Sequence, residues 1–104
     1  MSLQKNNNTV LQQQSGKMTD EALNNAFDEA VELVNNYTDP LPADFLLRLY
    51  AYYKIANRNY DNPGSRKPLI NAFKANALFQ ARNISEREAK EKYVRLVHAH
   101  LKDK

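Results

Sequence analysis

From Thr19 onward, apolar residues return along the chain at gaps of three and four, and clusters of Asn, Pro and Gly interrupt that rhythm. Over residues 20–37 the apolar positions are Leu23, Ala26, Phe27, Ala30, Leu33, Val34 and Tyr37, one face of a helix. Thr19 stands where an N-cap belongs, with Asp20 and Glu21 in the first turn, where the helix dipole favours negative charge. Asp39-Pro40-Leu41-Pro42 ends the helix, because proline cannot continue the ladder. Residues 43–58 are apolar almost all round, the mark of a central helix or of one that borders a pocket as well as a core. A loop follows, with a turn at Asn62-Pro63-Gly64. Residues 67–82 predict a third helix, opened by Pro68, with Leu69, Ile70, Phe73, Ala77 and Leu78 on its core face. Ser85-Glu86-Arg87-Glu88 is a capping-box pattern that starts a fourth helix, whose stripe is Ala89, Tyr93, Leu96, Val97 and Leu101. No strand-like alternation competes. The pattern predicts an all-α fold of four helices with short connections over residues 19–104.

Residues 1–18 lack this rhythm. Apart from two methionines they offer only Leu3, Val10 and Leu11, too little apolar surface to offset the entropy of ordering, so a disordered tail is expected there. At 104 residues the chain holds one domain. It has no cysteine, hence no disulfide and no thiolate metal site, which fits a reducing compartment. No secretory h-region is visible, and no stretch approaches the length of a membrane span.

The net charge of +3 says less than its distribution. Residues 19–43 carry six acids and no base, whereas residues 44–83 carry seven bases against Asp44 and Asp61. The middle of the chain is therefore the part that attracts an anion. Nucleic acid is not the expected partner, because the excess is modest and the first helix is acidic.

Catalytic chemistry finds little support. The carboxylates sit on solvent faces or alternate with lysines, and nothing marks one for a raised pKa. His98 and His100, two residues apart on a helix, point in different directions and make poor joint metal ligands. With glycine only at positions 16 and 64, no phosphate-binding loop is present. The second helix is more informative. Tyr50, Tyr53 and Lys54 lie at i, i+3 and i+4 and share a face. Two tyrosine rings beside a lysine can cover something flat or apolar while holding a phosphate. Lys74 and Tyr93 would complete the group if the second, third and fourth helices converge. The plainer alternative is a half-buried core rim with lysines reaching to solvent.

These residues also carry a resemblance. Phe27-Asp-Glu-Ala-Val-Glu-Leu-Val34, Leu46-Leu-Arg-Leu-Tyr-Ala-Tyr-Tyr-Lys-Ile-Ala56, Pro63-Gly64, Lys74 and Ser85-Glu-Arg-Glu-Ala-Lys-Glu-Lys-Tyr-Val94 resemble the acyl-CoA-binding protein family over roughly residues 22–101. The resemblance implies an antiparallel four-helix bundle, not an enzyme, that binds long-chain fatty acyl-CoA one molecule at a time. It implies a monomeric cytoplasmic carrier with no cofactor beyond that ligand and no integral membrane segment. By the same resemblance Tyr50 and Tyr53 would contact the adenine and acyl parts. Lys54 would meet the 3′-phosphate, and Lys74 and Tyr93 would reach the head group. The chain departs from the family at Ala75 and Leu78, where two tryptophans are usual, and Phe73 or Phe79 is expected to refill part of that volume. A helical protein-interaction domain that keeps the fold without the lipid is the alternative function.

Overall fold

The computed structural model of the chain describes residues 18–59 and 67–102. The tail expected over residues 1–18, apart from Met18, and the turn expected at Asn62-Pro63-Gly64 lie outside the described residues. The described residues form four α-helices: α1 (Asp20–Asn36), α2 (Ala43–Ala56), α3 (Pro68–Ala81) and α4 (Glu86–Val97). A π-helical turn, His98–Lys102, continues α4. No strand occurs among the described residues.

The helix starts follow from side-chain capping. The Thr19 hydroxyl accepts a 3.1 Å hydrogen bond from the Ala22 amide, and the Ser85 hydroxyl accepts one of 3.0 Å from the Glu88 amide. Each satisfies one of the amide donors that a helix leaves unpaired at its first turn. The end of α2 comes two residues before the expected position, at Ala56. Arg58 there takes a left-handed conformation, φ 53°. Its amide donates to the Ile55 carbonyl, and the Asn59 amide donates to the Lys54 carbonyl at 2.9 Å. This paired closure usually uses glycine at the left-handed position, because a side chain there meets steric resistance.

The helices form an array in the order α1, α4, α2, α3. Helix α4 packs closely against both α1 and α2, and α3 packs closely against α2. Phe27 and Ala30 of α1, Phe45, Leu49 and Ile55 of α2, and Ala89, Tyr93 and Val97 of α4 form one buried cluster. This three-helix core agrees with the stripes read along the first and fourth segments and with the second segment's being apolar almost all round. The third segment does not follow its pattern. No residue of α3 is buried, and Leu69, Ile70 and Phe73, expected in the core, are exposed. The side of α3 that meets α2 is the one carrying Lys74, Ala77, Leu78 and Ala81, all half-buried. Because α3 is apolar on both sides, its period does not say which side faces the core. Phe73 and Phe79, expected to refill part of the volume of the missing tryptophans, are both exposed, and Phe73 lines a cleft beside α2. Leu78 does pack against the core, whereas Ala75 is exposed.

Candidate functional site

Helices α1 and α2 do not pack closely against each other. The gap between them is a pocket of about 260 Å³, lined by Val31, Val34 and Asn35 of α1, by Leu46, Leu49, Tyr50 and Tyr53 of α2, and by Tyr93 of α4. Three of the five residues singled out from the sequence thus share one apolar-walled pocket. Tyr53 is 41% exposed at its mouth, and Tyr93 is 4% exposed at its base. Phe27 ties the two together: its ring stacks on Tyr53 with centroids 6.1 Å apart and meets Tyr93 edge-on at 5.0 Å. Burial and the neighbouring Tyr53 push the Tyr93 phenol up to about 12, so this hydroxyl stays a neutral donor across ordinary pH.

The two lysines converge on Tyr50. Lys54 Nζ lies 5.7 Å and Lys74 Nζ 5.2 Å from the Tyr50 ring centroid, one from α2 and one from α3. Both distances are within cation–π range. Neither ammonium has a carboxylate partner among the described residues. Lys54 is also 8% exposed, an unusual burial for an unpaired charge. Its hydrogen bond goes to the Asn59 side-chain oxygen at 3.2 Å. The closure at Arg58 brings Asn59 back over the last turn of α2 and so sets this contact. The Tyr50 hydroxyl is sealed from water and has no hydrogen-bond partner, and burial raises its pKa. A hydroxyl without a hydrogen-bond partner and two ammonium groups without a carboxylate partner among the described residues, gathered around one ring, are groups that an anion with hydrogen-bonding oxygens would satisfy.

The sequence did not flag Phe27, Asn59 or the α1 wall of the pocket. Phe27 read as an ordinary core residue, and Asn59 as loop. His100 packs against the Phe45 ring with centroids 4.5 Å apart, and among the described residues there is no group of three or more His, Cys, Asp or Glu side chains that could hold a metal ion.

A larger cleft of about 550 Å³ lies on the other flank of α2, with Leu47, Ala51, Tyr52, Phe73 and Ala77 along it and Asp44, Arg48 and Lys92 at its edges. None of the five residues lines it. The smaller pocket is the better candidate site, because it joins an apolar wall to the tyrosines beside the two lysines, which the larger cleft does not.

A family model described as acyl CoA binding protein matches residues 24–97. Among solved structures, the crystal structure of acyl-CoA-binding protein 2 from Oryza sativa superposes with a TM-score of 0.66 at 25% identity, covering 78% of this chain and 92% of that one. Comparison with curated protein sequences gives no match.

Proposed function

The chain belongs to the acyl-CoA-binding protein family, and from that premise we propose that it binds long-chain fatty acyl-CoA esters one at a time and carries them as a monomer in the cytoplasm. The observation that carries this reading is the convergence of Lys54 and Lys74 on the Tyr50 ring, without a carboxylate partner among the described residues, next to a pocket walled by apolar side chains and three tyrosines. An acyl-CoA has the complementary halves: a multiply charged head and an apolar tail. In this reading Lys54 holds the 3′-phosphate and Lys74 a second part of the head group. Tyr50 and Tyr53 lie against the adenine and the start of the acyl chain. Tyr93 donates from the base of the pocket, its phenol held neutral by burial.

The energetics favour a carrier. Each methylene removed from water contributes about 0.8 kcal/mol, so a long tail supplies most of the affinity. The lysines set orientation and selectivity for the charged end. No bond is broken, and no residue of the site is poised as nucleophile or general base.

Titration calorimetry with palmitoyl-CoA tests the proposal. A one-to-one complex is expected, weakened about tenfold or more by Lys54→Ala and weakened further as salt rises. No heat, together with no shift of the thermal unfolding midpoint at saturating ligand, would sink it.

A further inference from the structure

We propose that the outward face of α3 is a docking surface for anionic lipid bilayers. Leu69, Ala72, Phe73, Asn76 and Phe79 fall on one stripe of the helix, and all five are exposed. Leu69 is 66%, Phe79 59% and Phe73 48% exposed, and no residue of the stripe is charged. Large apolar side chains exposed together along one stripe of a helix point to a binding face.

The charges around the stripe identify its occupant. From Lys67 to Ser85 the chain carries Lys67, Lys74 and Arg82 and not one acid. Lys67 caps the start of α3 and Arg82 its end, so a cation sits at each end of the stripe. The Arg82 guanidinium lies 3.7 Å over the Phe79 ring, which presents a cation and an aromatic side chain together. Exposed rings beside basic groups suit the boundary between acyl chains and phosphate head groups. At the opposite edge of the array, α1 carries five acids and no base. The molecule therefore has an electrical polarity that turns α3 toward a negative surface and α1 away from it. A second copy fits less well: pairing two identical α3 faces would bring like charges together. Asp44, at the edge of the neighbouring cleft, is the one acid near this side among the cleft-lining residues, and Arg48 and Lys92 accompany it there.

Lys74 links this face to the ligand site, because it sits on α3 and reaches the Tyr50 ring. Docking through α3 would hold the protein at the bilayer in which a long-chain acyl-CoA partitions. That use of the surface rests on the acyl-CoA reading, whereas the docking itself does not.

Vesicle flotation of the full chain, without acyl-CoA, tests it. Vesicles of phosphatidylcholine with phosphatidylserine, roughly three parts to one, are expected to carry the protein at least about tenfold better than phosphatidylcholine alone, and high salt should release it. Leu69→Ser combined with Phe79→Ser is expected to lower the partition by about tenfold or more, and Arg82→Glu to lower it as well. Both variants should keep the wild-type palmitoyl-CoA titration measured without vesicles. Equal flotation of wild type and the double variant would overturn the proposal. So would indifference of the wild type to phosphatidylserine, or a concentration-dependent dimer in sedimentation that the double variant dissolves. A wild type that floats yet gives no calorimetric signal with palmitoyl-CoA supports the surface and sinks the acyl-CoA reading.

Discussion

Helices α2 and α3 are each 14 residues long and apolar over most of their circumference, yet α2 buries six residues and α3 buries none. Composition does not separate them; neighbours do. Helix α2 lies between α3 and α4, so both of its apolar sides find a partner. Helix α3 has α2 on one side and, among the described residues, no helix packed closely on the other. Stability is therefore concentrated in α1, α2 and α4, and α3 forms a more weakly held outer layer that completes the site through Lys74.

Truncation in the inner region is the most severe way to test this contrast. Ile55, 1% exposed at the centre of α2, should cost about 2–5 kcal/mol when changed to alanine, through lost burial and the cavity left behind. Urea unfolding with an unchanged slope would report it. A loss below about 1 kcal/mol would mean that the inner helices are no better packed than α3.

The next largest effect concerns pH. Tyr93 ionises near 12 in the fold against 10.0 as a free side chain. Between these values the unfolded chain has released a proton that the folded chain retains. The stabilisation is complete below pH 10 and disappears as pH rises toward 12, an effect of about 2–3 kcal/mol. Thermal unfolding of wild type and Tyr93→Phe, compared from pH 9 to 12, should show the steeper alkaline loss only in the wild type. Parallel curves would mean that the Tyr93 phenol is open to water.

How far the sequence could be read follows the same division. The helices, the Thr19 and Ser85 caps and the buried stripes of α1 and α4 were visible, because each depends on local spacing and on a single apolar side. The shared face of Tyr50, Tyr53 and Lys54 was visible for the same reason. The approach of Tyr93 and Lys74 depends on how helices distant in sequence meet; the residues alone left it conditional on that meeting, and resemblance to a known family implied it. Asn59 was hidden because its contact with Lys54 requires the left-handed turn at Arg58, where no glycine signals it. The orientation of α3 was hidden because two apolar sides leave its period without a preferred direction.

A smaller effect separates the two regions by their caps. Ser85 caps α4 through its side chain, and its change to alanine should cost about 1 kcal/mol. Lys67 at the start of α3 makes no such hydrogen bond. Its change to alanine removes no cap and should lower the unfolding midpoint less than Ser85→Ala does, and equal shifts would erase the distinction.

The smallest expected effect is the most direct test of the outer layer. Leu69→Ser removes a large apolar side chain, a change that costs several kcal/mol inside a core, but Leu69 is 66% exposed. The loss should stay within about 0.5 kcal/mol, the range of surface substitutions. Native-state hydrogen exchange adds a second reading. Amides of α3 should exchange through a local opening of lower free energy than the global unfolding that releases α4, since little apolar area holds α3 down. If α3 amides were protected as strongly as those of α4 and Leu69→Ser cost as much as Ile55→Ala, the stripe would be covered in solution by something other than water. The contrast between α2 and α3 would then be one of which partner each helix has, and the docking face would already be occupied.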